Sequence, residues 1–152
     1  MSAKPAKPPR VVLDTNVALD LFVFRDPACA PLLAALRAGQ VQAVVDEICR
    51  AEWLAVLTYP ALALEETTQR EAAAAFDRWT QWLPASELFP RDDVKLPRCA
   101  DADDQKFLEL ALASGAQWLL SKDKEVLKLA TRTAREGWFQ ILLPSAWQLP
   151  VA

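Results

Sequence analysis

Histidine is absent from the 152-residue chain. Without it, Ser–His and Cys–His catalysis and the usual zinc sites are excluded, so any chemistry must come from acids, lysines or hydroxyls. Glycine is nearly as scarce. Gly39, Gly115 and Gly137 are too few and too scattered to build a glycine-rich phosphate loop. The three cysteines, Cys29, Cys49 and Cys99, lack metal-ligand spacing, and their odd number argues against a complete disulfide framework. Their simplest place is the core. No apolar run approaches the length of a membrane span and the N-terminus has no signal-type apolar segment, so a cytoplasmic protein is expected. Basic charge is also not in excess: 17 Lys and Arg face 20 Asp and Glu, a net charge of −3. No global field attracts nucleic acid, and any such binding has to be local, metal-assisted or helped by a partner.

What the chain does have is apolar residue in alternating short and long runs, enough for one domain with a real core. Residues 1–9, rich in Lys, Pro and Ala, read as a disordered tail, and residues 10–149 as a single domain without internal repeat. Short apolar runs bounded by polar turn-formers predict strands at 10–13, 41–45, 117–121 and 140–143, with a weaker candidate at 87–89. Helical patterns lie between them: 17–24, a second from Pro27 to Gly39, 47–57, a long alanine-rich one over 65–83, 105–114, 125–130 and a short one at 144–147. The polar first half of the 65–83 helix suits a peripheral helix packed on one face, or an arm. Strands alternating with helices imply an α/β fold: three layers, α/β/α, around a mainly parallel central sheet of 4–5 strands.

Acids stand at four telling places. Asp14 ends the first strand and Asp123 lies just past the 117–121 strand. In an open α/β sheet, ligands sit beyond the carboxyl ends of the strands. Glu52 shares a row with Ile48 and Val56 on the 47–57 helix, interrupting what reads as a core-facing stripe. Asp104 closes the run Asp101-Ala102-Asp103-Asp104 at the start of the next helix. Each has an ordinary explanation as a helix cap or a stripe-edge acid. Together, at one edge of a sheet, they form a hard-oxygen set suited to Mg²⁺ or Mn²⁺. Lys122 beside the last acid, with Lys124, Lys128, Arg132 and Arg135 after it, would either border the site or form a solvated helix face.

Four segments in this order resemble the PIN domain, a fold shared with flap-endonuclease-like nucleases: 11–17 (VVLDTNV), 52–57 (EWLAVL), 101–108 (DADDQKFL) and 121–127 (SKDKEVL), followed by 141–145 (ILLPS). Within that fold the chain is similar to bacterial PIN proteins that act as toxin components of toxin–antitoxin systems. The resemblance implies a metal-dependent endoribonuclease leaving 5′-phosphate and 3′-hydroxyl ends. Asp14, Glu52, Asp104 and Asp123 would be the catalytic metal ligands for Mg²⁺ or Mn²⁺. Thr15, Asn16, Asp101, Asp103 and Ser121 would be accessory, with Thr15 or Asn16 orienting Asp14 or a water. RNA would be the substrate, and a small antitoxin protein and a second copy of the chain the partners. Two positions depart from the family pattern: Lys122 replaces a glycine before the fourth acid, and Gln105 a further acid.

Rival readings come from other classes. A haloacid-dehalogenase-like phosphohydrolase needs a second Asp two residues after its nucleophile, where Asn16 stands. A receiver domain leaves Glu52 unexplained. A catalytically silent PIN fold that only binds RNA or a partner shares the fold and differs in activity alone.

Overall fold

The structure is a computed structural model that describes residues 7–150. Of the expected N-terminal tail, residues 1–6 lie outside the described residues. The Pro9 carbonyl already accepts a hydrogen bond from the Gln42 N–H at 2.9 Å.

Five parallel strands form one sheet: β1 (Arg10–Leu13), β2 (Gln42–Val45), β3 (Thr80–Trp82), β4 (Trp118–Leu120) and β5 (Gln140–Leu142), in spatial order β3-β2-β1-β4-β5. Helices α1 (Thr15–Phe22), α2 (Ala30–Arg37), α3 (Glu47–Leu57), α4 (Glu66–Trp79), α5 (Gln105–Ala113), α6 (Lys124–Leu127) and α7 (Ala130–Arg135) cross between them. The result is the expected three-layer α/β/α arrangement. β1 is central and buried on both faces, which is why it reads as an unbroken apolar run rather than an alternating one. Its register pairs Val11 with Ala43 on one side and with Trp118 on the other. The chain leaves β1 toward β2 and returns to the opposite side at β4. Strand order therefore reverses between β1 and β4, and a crevice opens beyond their carboxyl ends.

The sheet edge differs from expectation. The helix expected over 65–83 stops at Trp79, and residues 80–82 form β3 instead, while 87–89 is not a strand. Thr80 turns to φ −123°, ψ 153°, and its hydroxyl caps the helix by donating to the Phe76 carbonyl at 2.6 Å. Three residues of pairing with β2 then outweigh the helical tendency of the segment before them. Pro84 redirects the chain into a 3₁₀ turn, Ala85–Glu87, and the Phe89 N–H bonds the Ala113 carbonyl at the end of α5, away from the sheet. Gly39 and Gly115 close α2 and α5 at φ +72° and +70°, the left-handed conformation that a helix end of this kind requires.

The core wraps both faces. Between α1, α3 and α4, Trp53 stacks on Phe76 with ring centroids 5.0 Å apart, and Phe22 meets both rings edge-on. This places α4 as a peripheral helix burying one face through Ala72 and Phe76. All three cysteines are free and buried. The aromatic cluster also anchors α3, the helix that carries Glu52. Phe76→Ala is expected to cost about 3–5 kcal/mol, the range for deleting a buried aromatic ring. Urea unfolding of the variant beside the parent chain measures it.

Candidate metal centre

The site starts from two strand ends. Asp14 follows β1, donates its N–H to the Leu120 carbonyl of β4 at 3.1 Å, and caps α1 by accepting the Val17 N–H at 2.9 Å. It is 4 % exposed. Ser121, just past β4 and fully buried, is close enough to Asp14 to help hold its charge and accepts the Asp123 N–H at 3.0 Å. Asp123 in turn caps α6 by accepting the Glu125 N–H at 2.8 Å. One serine thus stands between the first and last acids of the set, fixing the backbone of Asp123 and lying beside Asp14.

The third acid arrives on the loop before α5. Asp101 accepts the Asp103 N–H at 3.0 Å and opens a 3₁₀ turn, Ala102–Asp104. Asp104 stands at the N-cap position of α5 but accepts no cap hydrogen bond. Capping therefore does not account for it. Among the described residues, Asp101, Asp104 and Asp123 bring one carboxylate oxygen each to within 4.8 Å of one another. Asp14 and Glu52 stand outside that trio, while Asp101, expected as an accessory residue, is inside it. Asp103 is exposed and contributes its backbone carbonyl to the Lys106 ammonium. Asn16 is exposed at the rim.

Glu52 sits differently from the expected core-facing stripe. The buried row of α3 is Cys49, Trp53 and Leu57, and Ile48 is 66 % exposed. Packing of Trp53 sets the rotation of the helix, which leaves Glu52 on the flank. There its Oε2 accepts the Thr15 hydroxyl at 2.5 Å and its Oε1 meets the Lys106 ammonium at 2.7 Å. Thr15 thus orients Glu52 rather than Asp14. Sequence reasoning passed over Lys106 altogether. Its signal was its place one turn into the helix opened by the acidic run.

The two departures from the family pattern have plain local accounts. Among the described residues, positive φ at a non-glycine position occurs only at Arg25 and Ala63, so the loop at Lys122 does not need a glycine. The Lys122 ammonium reaches out to within 2.6 Å of Asp20 Oδ2, as an ion pair without the alignment of a good hydrogen bond. Gln105 is buried, with its carbonyl accepting the Cys99 N–H at 2.7 Å and its amide donating to the Pro97 carbonyl. It fastens the loop that delivers Asp101, a task that needs a donor and an acceptor on one side chain.

Crowding shows in the electrostatics. Burial pushes Asp14 up from 3.8 to about 6, against the pull of the Ser121 and Val17 hydrogen bonds, and the charge of Asp123 adds to the rise. Asp104 also rises to about 6, first by desolvation and then by the charges of Asp101, Asp123, Asp14 and Glu52. Carboxylates held apart from water and close to one another gain most from a bound cation. An oxygen-only donor set fits Mg²⁺ or Mn²⁺, and Asp101, Asp104 and Asp123 could hold it, with Asp14 beside them.

The family model for the PIN domain matches residues 10–125. The chain belongs to the PIN-domain family. PIN domains are in general metal-dependent nucleases that bind nucleic acid, and in this PIN domain the acidic cluster stands where the matched segments converge. No curated protein matches the chain. No helix among the described residues is long and apolar enough to cross a membrane.

A carboxyl raised in the folded state keeps its proton where the unfolded chain has lost it. Between pH about 4 and 6 the folded form therefore binds more protons, and stability falls as pH rises. The metal-free protein is expected to lose melting temperature across that window and to level off above it. Asp104→Asn should flatten part of the fall and raise the metal-free melting temperature at pH 7 by about 2–4 °C, on the order of 1 kcal/mol after solvent screening of a half-exposed group. Thermal melts in chelator at pH 4.5 and 7 measure both; a lower melting temperature for the variant at pH 7 would return Asp104 to a structural role.

Proposed function

We propose that this PIN domain is a metal-dependent endoribonuclease that hydrolyses phosphodiesters of single-stranded RNA. The observation that carries the reading is Asp104: a carboxylate at a helix start that caps nothing, raised to about 6 among Asp101, Asp123, Asp14 and Glu52. A helix cap would accept backbone N–H bonds, and a solvated acid would keep an ordinary pKa. A charge left unpaired in this way suits a cation ligand.

In this reading Asp101, Asp104 and Asp123 would hold Mg²⁺ or Mn²⁺, with the charge of Asp14 adding to the field they make. The bound cation would supply electrostatic stabilisation to the reacting phosphate and lower the pKa of a water. Ser121 holds Asp14 and Asp123 in register, and Gln105 holds the loop of Asp101. Asn16, exposed two residues after Asp14, would meet a ribose or a water.

The net charge of −3 makes RNA contact local. Of the basic residues around and after Asp123, Lys122 is engaged by Asp20 and Lys128 by Glu125 at 2.9 Å; Lys124, Arg132 and Arg135 are exposed, and Lys124 is the one next to Asp123 in sequence. A toxin role with a small antitoxin protein as partner, and a homodimer, rest on the motif resemblance. Growth arrest on induction, relieved by a co-expressed neighbouring protein, is the assay for that role.

Cleavage of unstructured RNA in Mn²⁺ or Mg²⁺ should be lost in chelator, and Asp104→Asn and Asp123→Asn should each lower its rate by roughly 10²-fold or more, the scale for removing a positioned group from a reacting site. Wild type should also be stabilised by Mn²⁺, by about 2.7 kcal/mol at 100 times Kd, read as a higher melting temperature. A folded protein that binds Mn²⁺ and RNA without cutting would make this a silent binding module. Phosphate release from a phosphomonoester would make it a phosphohydrolase.

A further inference from the structure

Both oxygens of Glu52 are already engaged. One accepts the Thr15 hydroxyl and the other the Lys106 ammonium, which also donates to the Asp103 carbonyl. The pair is sheltered, with the Lys106 side chain 19 % and the Glu52 side chain 27 % exposed. It joins two helices, α3 and α5, that pack against each other and carry buried core residues. A sheltered pair between fixed elements is less screened than a surface pair between mobile chains, and costs less entropy to hold. An ammonium thus already neutralises the one further carboxylate whose charge Asp104 feels from α3.

We propose that this PIN domain binds a single divalent cation, on the side of Asp101, Asp104 and Asp123, and that Lys106 is the site's second positive charge, built into the chain and seated on Glu52. The proposal rests on the nuclease reading for its metal. It assigns Lys106 as a positioning residue that holds Glu52 and fills the place of a second ion. A second ion could enter only by shedding water and breaking the Lys106 pair, and Mg²⁺ in particular gives up its water reluctantly.

The test counts Mn²⁺ bound per chain, by electron paramagnetic resonance of the free ion during titration, with the full chain and no RNA. Wild type should saturate at one ion. Lys106→Met, which frees Glu52, should take up a second. The double variant Glu52→Gln with Lys106→Met should return to one, and Lys106→Arg, which keeps the charge, should stay at one. Glu52→Gln alone should leave the affinity for the first ion within about threefold, whereas loss of a direct ligand would lower it by roughly tenfold or more. Two ions on the wild type, or one ion on Lys106→Met with circular dichroism showing it folded, would overturn the proposal and leave the nuclease reading intact. No bound Mn²⁺ on any form would overturn the nuclease reading itself.

Discussion

The parallel pairing of β1 with β4 is the constraint on which the site depends. Leu13 stands opposite Leu120, and the next residues, Asp14 and Ser121, follow as the two strands end together. The Asp14 N–H continues the ladder by bonding the Leu120 carbonyl, so the acid is placed by backbone geometry before any side chain is chosen. Its carboxylate then does two jobs at once, capping α1 and adding its charge to that of Asp104 and Asp123. A one-residue slip of either strand would turn Asp14 toward the opposite face and separate it from Ser121. The apolar burial that fixes the register therefore also fixes the chemistry.

That placement stores unfavourable energy. Desolvation raises Asp14, and crowding with desolvation raises Asp104. The surrounding fold meets this cost with features that have no part in the reaction: the Trp53–Phe76 stack, the T-shaped pair of Trp118 with Trp147, and the buried amide of Gln105. A domain whose total stability is of order 10 kcal/mol can tolerate a strained cluster of this kind only with a well-packed core beneath it. The strain is concentrated where a cation would relieve it.

Most of the fold was legible because it rests on local periodicity. Continuous apolar runs mark β1, β2, β4 and β5, and the helix ends at Gly39 and Gly115 fall where glycine predicts them. β3 was not legible, since Thr80-Gln81-Trp82 carries no strand pattern of its own and becomes a strand only by pairing with β2. For the site, the acidic positions themselves could be read, but their grouping could not. Asp101 joins Asp104 and Asp123 through a loop shape set by Gln105, a residue whose amide bonds no pattern announces. The row of Glu52 was misassigned because Ile48 and Val56 look like core residues, whereas Trp53, with more surface to bury, turns the helix by one position. Lys106 escaped notice because a lysine in the first turns of a helix is ordinary; its meaning comes from Glu52, 54 residues away.

The charge balance of the centre follows from the absence of histidine. Neutral imidazole ligands let many nucleases bind a metal without accumulating negative charge. An all-carboxylate cluster does not have that option, so without its cation it repels the phosphates of any RNA that approaches. In a protein of net charge −3 no distant field offsets this repulsion. Under the proposed function, RNA affinity and metal occupancy are then coupled, and each should strengthen the other by the same factor. Lys106 lessens the problem from within the chain, since it neutralises Glu52 without needing an ion from solution. Under the same proposal, the cation is needed among the acids grouped around Asp104, where Lys106 does not reach.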